Sequence, residues 1–125
     1  MTNFTLSPTF DAANASQKAE LLLRRLGVRR NLVGFDYTVY MSVQVVAANP
    51  SSLQLITKRL YRETAKQFHT TSIAVERAVR TVIGDCWKLE DHSLLDTLAG
   101  RHLTRSPSNS VFIDLVAGYL RYPLS

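Results

Sequence analysis

The chain has 125 residues, 46% hydrophobic and 20% charged, which fits one domain able to bury a core of its own. Fifteen basic residues against ten acidic ones leave a formal charge of +5, a balance that favours polyanions such as DNA, RNA or an anionic membrane surface. The single Cys86 excludes an internal disulfide and a four-cysteine zinc site, and no run approaches the roughly 20 apolar residues that span a bilayer.

Residues 1–13 are polar, contain Ser7-Pro8 and lack the basic-then-apolar order of a signal peptide. They are expected to form a flexible arm ahead of one domain over 14–125, and a cytoplasmic location follows. A first helix is predicted over Asn14–Leu26, with Leu21, Leu22 and Leu26 as its apolar residues and Gly27 as its stop. Arg29 and Arg30 fall in a loop. Like Arg24 and Arg25, they read either as solvated surface or as phosphate or partner contacts. A second helix over Gly34–Ala48 carries Phe35, Tyr37, Tyr40, Met41, Val43, Val45 and Val46 almost all round, which predicts a central, buried helix. Asn49-Pro50 breaks it, and Ser51–Thr57 is expected to bring Leu53, Leu55 and Ile56 to the core as a short helix or turn.

The next stretch, YRETAKQFHTTSIAVERAVR, reads as two helices joined by a tight turn. Tyr61–Phe68 is the first, with Ala65 as the small residue that allows a close crossing. His69-Thr70-Thr71 is the turn, and His69 takes a position that demands a positive φ, which histidine tolerates better than most residues. The second helix runs from about Ser72 to Trp87. Val75, Ala78, Val79, Val82 and Ile83 fall on one face, with Glu76, Arg77, Arg80 and Thr81 on the other. This is the layout of a helix-turn-helix unit, whose second helix enters the DNA major groove. After a polar break at Glu90-Asp91-His92, Ser93 is expected to cap a short helix to Ala99 ended by Gly100. A last helix, Asn109–Arg121, carries Phe112, Ile113, Val116 and Leu120 on one stripe, with Pro123 as its stop. The whole chain is therefore predicted to be all-α, with six helices.

The residues Ile56-Thr57-Lys58, Leu60-Tyr61, Ala65-Lys66, Phe68, Thr70-Thr71, Val75-Glu76-Arg77-Ala78, Arg80, Ile83 and Trp87 form one block of a wider pattern. Pro107, Asn109-Ser110, Phe112-Ile113, Val116-Ala117 and Leu120-Arg121 form a second. At this spacing the chain, over about residues 16–122, resembles the C-terminal effector domain of the stage zero sporulation protein A family, bacterial master response regulators of sporulation. The resemblance implies a six-helix DNA-binding domain that controls transcription from short promoter boxes. It further implies head-to-tail pairing as a homodimer on tandem boxes, and a contact with the sigma subunit of RNA polymerase. It puts Glu76 and Arg77 on base edges, where Arg can donate twice to guanine and Glu can accept from cytosine, with Arg80 one turn further on. Lys58, Arg59, Arg62 and Lys66, with Thr70, Thr71 and Ser72 at the turn, would then hold the flanking DNA backbone.

Two positions depart from the family pattern: Ala74 stands where an arginine is usual, and Arg62 where a proline is usual. The family's phosphoacceptor receiver domain also has no counterpart in the sequence, which would make this an excised effector domain or a standalone regulator not switched directly by phosphorylation. These departures motivate a competing reading, a receiverless interaction module that antagonises a related regulator or binds the sigma subunit without strong DNA binding. RNA is the lesser option, because a recognition helix suits the B-form major groove.

Plainer readings stand beside each residue. Glu76 and Arg80 have the i, i+4 spacing of a solvated ion pair, and Cys86 and Trp87 read as core. His69, His92 and His102 are too dispersed for a metal site. No nucleophile–base pair, phosphate-cradling glycine loop or acidic dyad is found, so neither an enzyme nor a cofactor is expected. No membrane partner is expected either.

Overall fold

The computed structural model describes residues 11–48 and 58–122. Among them lie six helices: α1 (Ala12–Arg25), α2 (Val33–Ala48), α3 (Lys58–Gln67), α4 (Ser72–Trp87), α5 (Ser93–Ala99) and α6 (Asn109–Arg121). The expectations for the leading arm up to residue 10, for Asn49-Pro50, for Ser51–Thr57 and for Pro123 lie outside the described residues.

The first helix starts two residues earlier than its apolar spacing indicates. Asp11 is the cap, its carboxylate accepting from the Asn14 N–H at 3.1 Å, so Ala12 and Ala13 belong to α1 and not to an arm. Ala15, Ala19, Leu22 and Leu23 are its buried face, continued by Leu26. Leu21 does not join them: at 100° per residue it falls on the far side of that stripe and is 58% exposed. Gly27 ends the helix at φ +87. The Val28 N–H bonds the Leu23 carbonyl and the Gly27 N–H bonds that of Arg24, a Schellman motif.

α2 is the centre of the bundle and packs against α1, α3, α4 and α6. Its many β-branched residues are tolerated because tertiary packing outweighs a few tenths of a kcal/mol of helix propensity per residue. The Thr38 hydroxyl, fully buried here, donates to the Gly34 carbonyl one turn back at 2.8 Å. The short α5 differs from expectation in its cap: Ser93 is the first helical residue, and its N–H donates to the Asp91 carboxylate two residues back. Ser108 caps α6, whose Phe112, Ile113, Val116 and Ala117 are buried. Arg121 at its far end donates to the Val45 carbonyl of α2 at 3.3 Å.

Candidate nucleic-acid interface

The turn between α3 and α4 follows from two local devices. His69 sits at φ +56, the one non-glycine residue at positive φ among those described. The Thr70 N–H reaches back to the Ala65 carbonyl at 2.9 Å and the His69 N–H to that of Lys66 at 3.3 Å. This is again a Schellman ending, with histidine in the usual place of glycine. Thr71 then caps α4, its hydroxyl accepting from the Ala74 N–H at 3.1 Å. The hydroxyl proton stays available to donate outward. α3 is already helical at Lys58, ahead of the expected Tyr61, and Leu60 joins its buried face with Thr64 and Ala65.

Three contacts fix α4 in place, and none is visible in the helix-turn-helix stretch itself. The first is a backbone approach by α2. A Cβ added at Gly34 would fall against the Ala78 carbonyl, 2.7 Å from its carbon and 2.9 Å from Val82 Cγ2, so the two helices cross closely only because residue 34 has no side chain. The second is at the helix C-terminal end. The Asp85 side chain, 6% exposed, accepts from Arg29 three times: from its backbone N–H at 3.1 Å, from Nε at 2.9 Å and from Nη2 at 3.1 Å. The Arg29 guanidinium holds the Asp85 carboxyl below the usual carboxylate range despite the opposing effect of burial. Arg29 thus ties its loop to the end of α4 while its own side chain stays 61% exposed, and Arg30 pairs with Asp36 at 3.2 Å while covering the Phe35 ring. The third contact comes from α6, where the Asn109 amide donates to the Glu76 carbonyl at 3.0 Å. The half-buried phenol of Tyr61 belongs to the same corner, and burial raises its pKa. Residues from α3, α4 and α6 meet there. Phe68 closes the unit against α2, its ring centroid 4.9 Å from Tyr37 and 5.6 Å from Tyr40.

Held this way, α4 buries Val75, Val79, Val82, Ile83 and Cys86 and exposes Ile73, Arg77, Arg80, Thr81 and Gly84. Burial pushes the Cys86 thiol up to about 11, as befits a core residue. Arg77 projects to solvent and makes no ion pair among the described residues. Arg80 does make one, with Glu76 at 3.0 Å, both partners well exposed. On α3, Lys58, Arg62 and Lys66 are exposed and recur every four residues, a cationic stripe along one side of the helix. Arg59, next to it, pairs with Glu63 at 3.1 Å. Thr70 and Ser72 are half-buried and Thr71 is exposed, which sets the turn between the two charged surfaces. Away from this face, Trp87 is half-buried and stacks on His92 at 3.9 Å, while His102 pairs with Asp96 at 2.9 Å.

A tight-turned helix pair of this kind is the layout of a helix-turn-helix unit. The family model for the sporulation initiation factor Spo0A C terminal matches residues 19–120. The chain belongs to that family. The Spo0A C-terminal family comprises DNA-binding effector domains of sporulation control, which makes this an all-α DNA-binding domain of transcription regulation. The three contacts on α4 were the part hidden from sequence reasoning. Gly34, Asp85 and Asn109 each act on a partner far away in the chain, and only a glycine at an otherwise apolar helix position gave a local sign. Among the described residues, no helix is long and apolar enough to cross a membrane.

Proposed function

We propose that this protein is a sequence-specific transcription regulator that lays α4 in the major groove of a short promoter box. Arg77 is the observation that carries this reading: an uncompensated guanidinium at the second turn of a helix held firmly from behind. In that groove Arg77 donates to guanine O6 and N7, and Glu76 accepts from cytosine N4 once its pair with Arg80 opens. Arg80 then turns to a base or a phosphate. Lys58, Arg62 and Lys66 on α3, with Arg59 beside them, take flanking phosphates, and the hydroxyls of Thr70, Thr71 and Ser72 take the phosphate nearest the turn. The setting is sporulation-type gene control in the cytoplasm, with copies paired on tandem boxes and a contact to the sigma subunit of RNA polymerase.

The test uses the full chain to enrich sequences from a randomised duplex pool. The enriched box is then compared with a scrambled box, and with the Arg77→Ala protein on the enriched box. The expected result is preference for the enriched box, steep weakening with salt, and a loss of roughly tenfold to hundredfold for Arg77→Ala. Failure to enrich any sequence, with equal weak binding throughout, would point instead to the interaction module that works through a protein partner.

A further inference from the structure

We propose that Ile73 reads the C5 methyl group of a thymine in the DNA major groove, and so sets specificity beside Arg77. This rests on the DNA-binding reading above. Among the described residues, the large apolar side chains that stand exposed are Leu21, Val33, Ile73, Leu89, Val111 and Tyr122. Of these, Ile73 alone lies on α4, where it is 64% exposed. It is one turn before Arg77, and the i, i+4 spacing puts both on one face of the helix. The N-terminal residues of a recognition helix are the ones that meet base edges. Here that turn has little polar chemistry to offer. Ala74 is half-buried and has no polar group, Val75 is buried, and the hydroxyls of Thr71 and Ser72 are the ones assigned above to the phosphate nearest the turn.

What the turn does present is a branched aliphatic side chain. The thymine methyl is the apolar group of the major-groove code, so it is the base feature that suits Ile73. The side chain is also prepared for the contact: a β-branched residue in a helix holds one χ1 rotamer strongly, so little freedom is lost on binding. The recognition face thus divides into an apolar first turn and a charged second turn. At a rise of about 1.5 Å per residue, the four residues from Ile73 to Arg77 span about 6 Å, or roughly two base steps of 3.4 Å. The thymine should lie within about two base pairs of the guanine read by Arg77.

The experiment takes the enriched duplex and replaces each thymine in turn by deoxyuridine, which removes one methyl and nothing else. Binding is measured for the wild-type chain, Ile73→Ser and Arg77→Ala, with circular dichroism checking that each variant is folded. One replacement, near the Arg77 guanine, should weaken the wild type about fourfold, the effect of burying one methyl. Ile73→Ser should bind the thymine and deoxyuridine duplexes equally. If no replacement matters, or if its effect persists in Ile73→Ser, the inference is overturned while the loss in Arg77→Ala keeps the DNA reading intact. If no sequence is enriched at all, both fall together.

Discussion

Along its inner side, α4 is closed by Val75, Val79 and Val82, fully buried, and is met by the bare backbone of Gly34. Along its outer side, the same helix shows Ile73, Arg77, Arg80, Thr81 and Gly84 to solvent. The difference separates two kinds of residue that a sequence pattern treats alike. Inner residues decide where the helix sits, and outer residues decide what it touches. A substitution on the inner side should therefore move stability and DNA binding together, whereas one on the outer side should move binding alone.

Two glycines make the sharpest form of this comparison. In an ordinary helix, replacing glycine by alanine stabilises by roughly 0.5–1 kcal/mol. Gly84, on the outer side with nothing near its missing side chain, should follow that rule. Gly34→Ala should do the opposite, because the added carbon meets the Ala78 carbonyl and Val82, neither of which can move without shifting a helix. A net loss of about 3 kcal/mol is expected, the upper range for overpacking. Thermal unfolding of the two variants checks it. Equal stability of Gly34→Ala and the parent would show that the close crossing does not constrain α4.

The anchor at the end of α4 gives a smaller effect with a distinctive pH signature. Asp85→Ala removes a buried carboxylate with its charge-assisted hydrogen bonds and should cost about 2 kcal/mol near neutral pH. Because the folded-state pKa of Asp85 is depressed by Arg29, its contribution is present above the unfolded carboxylate value and is lost as pH falls through the lower folded one. The stability gap between parent and variant should hold from pH 7 down to about 4 and close below that. Denaturant titrations at several pH values measure the gap directly. A gap that stayed constant into strong acid would remove the ion pair from the account.

How much of this was legible beforehand depends on the reach of each interaction. The positive φ at His69 could be read from the turn, since a Schellman ending sits within six consecutive residues. The central position of α2 could be read from its apolar girdle, and the burial of Cys86 from the spacing of its neighbours. Arg29 could not be assigned: its partner Asp85 is 56 residues away, and an arginine in a loop looks the same whether it binds a phosphate or an internal carboxylate. Asn109 could be placed at a helix start but not against Glu76, which is 33 residues away. Leu21 shows the converse limit, as one leucine among three neighbours whose inward face depends on where the helix axis lies. Local periodicity reports that a face is buried. It does not name the residue across the interface.

The smallest effect concerns the pair that links the two sides of the comparison. Glu76 is held from behind through its carbonyl by Asn109, while its carboxylate reaches Arg80 on the solvent side. An exposed i, i+4 pair contributes only a few tenths of a kcal/mol. Glu76→Gln and Arg80→Gln should thus leave unfolding almost unchanged, singly or together. On DNA the two should part company, since breaking the pair frees each partner for a different contact. Glu76→Gln should relax discrimination at one cytosine, because its amide presents donors as well as an acceptor. Arg80→Gln should lower affinity and, where Arg80 meets a phosphate, reduce the salt dependence by about one counterion. A double-mutant cycle run on both stability and binding resolves these terms. Additive effects on DNA, with coupling no larger than the few tenths of a kcal/mol of the exposed pair, would show that the pair opens and serves two separate contacts, whereas larger coupling on DNA would show that the two still act together there.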